Sequence, residues 1–323
     1  MIADRKYQEA GELLSNILEI NHKNIIFTNS GTSALLCSLY ACDVKDDEYI
    51  IGPNYGYFAW FNVSRFMKKN VLIADVNEDS LCMSYDSVKN LVSKYKVKVI
   101  FYIYHIGILD TDVLKIRELC NEKGIYLIED SCNALGSRLE DFPIFSIGDV
   151  STLSFSEKKT IDLGEGGAIV VNNIDLFKKI TELQFQGNFH RGVKETLKLG
   201  LNLQMNLIAI ERFINHYPKN TIEDFIQKRQ MVFHKLVSDF NIIHYPHQTA
   251  PSRFAIKCDT RKVLSKFRKL IKSPCDLTSD ENYKTLCSFG FCSDCVKSYD
   301  ILYLPNFNEM SDEFINVLKW CFK

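Results

Sequence analysis

The sequence predicts an α/β fold: a mostly parallel sheet between helices, followed by a smaller α+β segment. Three observations carry this reading. From residue 24 to residue 130, short apolar runs alternate with stretches of helical periodicity, the pattern of strands joined by crossover helices. One of these runs, GIYLIED, ends in two acids, Glu129 and Asp130. In an open parallel sheet the carboxyl ends of the strands line the ligand crevice, so Asp130 falls where chemistry is usually done. After Asn173 the alternation gives way to long helical segments, and from about Pro251 strand and helix patterns return on a smaller scale. The chain therefore divides into a large unit, residues 1–200, and a helical connection with a small C-terminal domain, residues 201–323.

Apolar residues at helical spacing (Ala10, Leu13, Leu14, Ile17, Leu18) predict a helix over 7–18, and NIIFT at 24–28 predicts a short buried strand. Gly31-Thr32-Ser33 opens a second helix that runs from 34 to 42. Such a turn offers free backbone amides, two hydroxyls and the positive end of the helix dipole to an anion, although the same residues also serve as an ordinary cap. EYIIG at 48–52 reads as a strand, and in the PNYGYFAW that follows, aromatic residues crowd the start of a helix, where core packing is their usual role. Strands at 71–74 and 97–102 and helices at 87–93 and 112–122 continue the alternation. His105 stands at a strand end and is assigned to the wall of the crevice, without a catalytic role. Helices are expected over 174–185, 205–216 and 222–240. In the last part a strand at 253–257, a helix at 262–271, the run ILYLPNF and a final helix at 311–322 are expected.

The chain has 323 residues, 46% of them hydrophobic, enough to bury a large core. Its 39 basic and 40 acidic side chains nearly balance, which gives no overall attraction to nucleic acid or to an anionic membrane. The basic run 261–272 reads as the wet face of a helix. No stretch reaches the roughly 18 to 20 apolar residues needed to span a bilayer, and the N-terminus lacks the apolar core of a secretory signal. A cytoplasmic location is expected, with neither nucleic acid nor membrane as a partner. Eleven cysteines, an odd number, read as reduced thiols rather than a disulfide framework. Cys292 and Cys295 form a C-x-x-C with Cys275 and Cys287 nearby, but the region lacks a second such pair and a His, so no metal site is expected.

The most informative stretch is SFSEKKTIDLGEGG, residues 154–167. Lys158 and Lys159 stand between a strand-like run, 150–155, and a glycine-rich turn. Lysine pairs on loops are ordinarily solvated charges. A lysine nucleophile near a strand-end carboxylate, however, suits a cofactor that forms a Schiff base and needs a protonated ring nitrogen, as pyridoxal phosphate does.

SGTSAL (30–35), IEDSCNALG (128–136) and SFSEKKTIDLGEGGAIV (154–170) occur in the order found in the DegT/DnrJ/EryC1/StrS aminotransferases, and the chain resembles that family. These are fold-type-I pyridoxal phosphate enzymes that mostly aminate nucleotide-linked keto-sugars. The family's Schiff-base lysine lies four residues after Phe and five before the Gly of Gly-Glu-Gly-Gly, and both counts select Lys159 over Lys158. The resemblance implies that Thr32, Ser33 and Ser154 hold the cofactor phosphate, that Tyr57 stacks on its ring, and that Asp130 pairs with the ring nitrogen. The family's Gln against the ring hydroxyl is Asn133 here, the same amide on a shorter stem. LGLNLQMN resembles the family's Gly-x-Asn-x-Arg-Met loop, in which the Asn reaches a neighbouring subunit's phosphate; that position is Asn202 and implies a homodimer with shared sites. The Arg position is Gln204, for which Arg191, Lys194 or Lys198 could substitute. Gly164, Gly166 and Gly167 are expected to turn the backbone sharply.

The implied activity is transfer of an amino group from an amino acid such as L-glutamate to a keto-sugar, with Lys159 as Schiff-base residue and general acid/base. Two alternatives remain: a pyridoxal phosphate-dependent sugar dehydratase, against which the retained Lys159 counts, and a degenerate relative that binds a ligand or partner subunit.

Overall fold

The computed structural model describes residues 2–20, 24–139, 142–157, 159–187, 198–239 and 250, together with strand segments 255–257, 271–272, 292–293 and 301–303. Helices are α1 (Ile2–Leu18), α2 (Gly31–Ala41), α3 (Ala59–Phe66), α4 (Tyr85–Lys94), α5 (Asp112–Lys123), α6 (Ile174–Gln184), α7 (Leu207–His216) and α8 (Lys219–Asp239). Strands are β1 (Ile25–Thr28), β2 (Tyr49–Pro53), β3 (Asn70–Ala74), β4 (Val97–Ile103), β5 (Tyr126–Asp130), β6 (Arg138–Leu139), β7 (Phe142–Pro143), β8 (Val150–Ser154), β9 (Gly167–Val171), β10 (Ala255–Lys257), β11 (Ile271–Lys272), β12 (Cys292–Ser293) and β13 (Ile301–Tyr303).

The central sheet has eight strands in the order β1-β9-β8-β5-β4-β2-β3-β12. Only β9 runs against its neighbours, pairing antiparallel with both β1 and β8. The remaining pairings are parallel, as the alternation predicts. Side-chain alternation along each strand supplies two cores. Val99, Phe101 and Ile103 of β4 join α2, α3 and α6 on one face. Ile100 and Tyr102 join α1, α4, α5 and α7 on the other. Both faces are covered, which explains why the strands read as nearly continuous apolar runs rather than as alternating ones.

Local signals set several element ends. α5 stops at Gly124, whose φ of +66° is the left-handed cap that glycine adopts without strain. In β2, Gly52 makes room for Trp60 of α3: a Cβ there would lie 2.4 Å from the indole ring. The aromatic cluster after Pro53 thus divides, with Trp60 and Phe61 in the core and Tyr57 and Phe58 exposed.

The expected helix at 262–271 lies outside the described residues except for Ile271, which begins β11 in a small sheet ordered β10-β13-β11. The final helix at 311–322 also lies outside them, as do Cys275, Cys287 and Cys295. Cys292 is in β12, which extends the central sheet alongside β3. Among the described residues, no helix is long and apolar enough to cross a membrane.

Candidate active site

The register of the parallel strands places a line of residues at one edge of the sheet. Ile103 of β4 is level with Asp130 of β5, and Asp130 is level with Thr152 of β8, so Ser154 projects two residues beyond. Against this edge comes the N-terminus of α2. A Cβ on Gly31 would stand 2.9 Å from Cβ of Ser154 and 3.3 Å from Sγ of Cys132, so only glycine allows the helix to approach this closely. Gly167 serves the same end: a Cβ there would come within 2.6 Å of the Ser30 backbone. This corrects the expectation that Gly167 is a turn residue. It opens β9, while Gly164 and Gly166, with φ of +82° and +139°, make the turn.

Ser30 caps α2, its Oγ accepting from the Ser33 amide at 3.1 Å and lying 2.9 Å from the Ser33 hydroxyl. The capping and anion-binding readings of this turn are therefore compatible. Ser30 does the capping, and Thr32 in the first helical turn remains exposed.

Asp130 is buried, its Oδ1 accepting from the Cys132 amide at 3.2 Å. Lys159 Nζ donates to Asn133 Oδ1 at 2.7 Å. Cys132 ties these parts together. Burial pushes its thiol well above the ordinary range; the charge of Asp130 adds to that rise and the charge of Lys159 opposes it. One thiol thus feels the carboxylate and the ammonium and lies beside the start of α2. The structure brings together Asp130, Asn133, Lys159, Ser154 and the first turn of α2.

Tyr57 stands apart from this group, 52% exposed and stacked on Phe58 with ring centroids 5.2 Å apart. Its neighbour Gly56 lies against Ile103, the residue level with Asp130. Asn202 is exposed on a loop that bridges to Phe185. Beside it Gln204 bridges to Thr28 at the end of β1, and Met205 would be 3.2 Å from a Cβ on Gly166. Lys198 is committed to Glu182, at 2.6 Å. Arg191, Lys194 and Lys158 lie outside the described residues. His105 is buried in the turn after β4, edge-on to Tyr55 with centroids 5.1 Å apart.

Sequence reading gave no role to Cys132 or to Glu129. The signal for Cys132 was its place between Asp130 and Asn133 in one tight turn, where Ala134 N bonds back to Ser131 O. Glu129 faces the opposite side of β5 from Asp130, fully buried. Tyr104 OH donates to it at 2.5 Å, the Gly148 amide donates at 2.6 Å, and the Ser151 hydroxyl donates as well. Burial raises its carboxyl to about 7 against the pull of those donors.

The sequence profile of the DegT/DnrJ/EryC1/StrS aminotransferase family matches residues 12–271, most of the chain. The chain belongs to this family. A GDP-perosamine synthase of Vibrio cholerae is 32% identical over 173 residues, which is 54% of this chain and 46% of that protein. The chain thus matches about half the length of that curated relative. Among solved structures, a DegT DnrJ EryC1 StrS aminotransferase from Brucella abortus superposes with a TM-score of 0.84 at 17% identity, covering 98% of this chain and 89% of that one. An E. coli GDP-4-keto-6-deoxy-D-mannose-3-dehydratase with bound hydrated PLP also gives 0.84 at 17% identity, covering 98% and 92%. These likenesses show the fold alone.

Proposed function

We propose that this family member is a pyridoxal phosphate-dependent aminotransferase that moves an amino group from an amino acid, L-glutamate in the first instance, to a keto-sugar that is nucleotide-linked. The observation that carries the reading is the meeting of three segments: Lys159 bonds to Asn133 in the turn that Asp130 begins, and the first turn of α2 packs against Cys132 of that turn. A buried carboxylate, a lysine amine and a helix N-terminus are the three groups that a cationic ring, an aldehyde and a phosphate require. The chain's own residues therefore fit the cofactor.

Bound pyridoxal phosphate supplies an electron sink for the pair left when the donor's Cα–H bond breaks. Asp130 holds positive charge on the ring nitrogen. Lys159 would attach the cofactor through Nζ, and the same amine would hold and move the proton. Thr32, Ser33 and Ser154 would hold the phosphate, Tyr57 would pack on the ring, and Asn133 would offer its amide to the ring hydroxyl. Asn202 reaches the phosphate of a second copy, making a homodimer with shared sites; its exposure supports that role. The large unit to residue 200 carries the cofactor, and the remainder forms the connection and smaller domain. The names of the perosamine synthase and of the dehydratase, both of GDP-linked compounds, support the acceptor class. The free thiols of Cys37, Cys42, Cys82, Cys120 and Cys132 are in keeping with a cytoplasmic enzyme.

The test is the absorbance spectrum of the protein with pyridoxal phosphate, followed by L-glutamate. A band near the visible edge that glutamate shifts is expected, and Lys159→Ala should lack both the band and the shift. A band that no amino donor changes would sink the aminotransferase reading.

A further inference from the structure

Arg229 lies on the buried stripe of α8 with Ile222, Ile226 and Phe233, a charge at an apolar position of the helical period. It is 3% exposed. Its Nη2 donates to Thr160 Oγ1 at 2.7 Å, its Nη1 donates to the Ala250 carbonyl at 3.1 Å, and its guanidinium carbon stands 5.2 Å from the centre of the Phe225 ring. Burial lowers its pKa to about 10, which leaves it charged at neutral pH. A buried cation is costly unless its donors are used, and an arginine spans two acceptors where a lysine would reach one.

Thr160 follows Lys159 in the chain. From the other acceptor, the Ala250 amide donates to Ser137 Oγ at 2.8 Å, and that hydroxyl donates to the Gly107 carbonyl at 3.2 Å. Ser137 ends the loop that contains Asn133. One turn before Arg229, Ile226 fills the space that a Cβ on Gly136 would occupy, 2.5 Å away. The loop of Asp130 and Asn133 and the loop of Lys159 are therefore joined twice. They meet through the Lys159–Asn133 hydrogen bond, and behind it α8 holds both.

We propose that Arg229 is a positioning residue, which fixes the Lys159 loop through the Thr160 hydroxyl and so sets where the Lys159 amine stands relative to Asn133 and Asp130. The proposal rests on the reading of Lys159 as the cofactor lysine. It makes the reactive amine dependent on a helix that follows the cofactor-binding unit, so displacement of α8 would be felt at Nζ.

The test is a double-mutant cycle on affinity for pyridoxal phosphate, read by isothermal titration calorimetry of the full chain, which reports binding with or without a Schiff base. Thr160→Val keeps the side-chain volume and removes the acceptor. It is expected to weaken binding by about tenfold, within the range of coupled neighbours, and Thr160→Ser should restore it. In the Lys159→Ala background, Thr160→Val should have no further effect. In cofactor-free protein, acetylation of Lys159 by acetic anhydride, followed by mass spectrometry, should change rate in Thr160→Val and return to the wild-type rate in Thr160→Ser. An equal loss in both lysine backgrounds, or no loss in either, overturns the proposal and leaves the cofactor reading intact. Failure of the wild type to bind pyridoxal phosphate overturns both.

Discussion

Glu129 and Asp130 are adjacent acids at the end of one strand, and the two faces of the sheet put them to opposite uses. Asp130 faces the edge where α2 begins, beside Cys132 in a group that includes Lys159. Glu129 faces the other way, into a closed pocket of donors from Tyr104, Gly148 and Ser151. The pair teaches that burial alone does not identify a functional acid: both are buried, and the more thoroughly buried one is structural. What separates them is the company on each face, a lysine and a helix N-terminus against two hydroxyls and an amide.

Substitutions on the two faces should break this comparison in different measurements. Asp130→Asn keeps the shape and removes the charge; it is expected to lower the transamination rate about a thousandfold while leaving the thermal midpoint nearly unchanged. Glu129→Ala should do the reverse. Losing the acceptor of three buried donors and opening a cavity is expected to cost about 4 kcal/mol in denaturant unfolding. A version of Glu129→Ala that folds as stably as the wild type would show that the pocket is not structural.

The pH dependence sharpens the contrast. Because burial raises Glu129 from 4.5 to about 7 in the fold, the native state keeps a proton that the unfolded chain releases. The stabilising contribution is complete below pH 4.5 and is lost as pH rises through 7, a fall of about 3 kcal/mol. Glu129→Gln should flatten that part of the stability curve, measured by urea titration from pH 5 to pH 8. The smallest effect is expected for Tyr104→Phe. Removing one donor that holds the Glu129 pKa down should cost about 1 kcal/mol and move the stability loss to higher pH.

Much of the site was legible because it is built from short segments. Ser33 beside its cap, Asp130 at a strand end and Lys159 before a glycine turn each announce a local backbone state, and local states survive without knowledge of the fold. Asn133 was legible as a site residue but not as the partner of Lys159, since the 2.7 Å contact joins two loops through the pairing of β5 with β8. Gly167 was misread for a related reason. Among turn glycines it looked like one more, whereas its lack of a Cβ answers to the Ser30 backbone, far away in the chain.

The sequence by itself determined the alternation of strands and helices, the family, and the segments that carry the site. Each of these follows from periodicity, spacing or a motif within a few dozen residues. Only the tertiary structure decided which face of β5 each acid takes, that Cys132 stands among Asp130, Lys159 and the start of α2, and that Arg229 reaches back from α8 to Thr160. Those relations depend on sheet register and helix packing, where side chains distant in sequence meet in a dry interior. There a single ångström or a single donor settles what each residue can do.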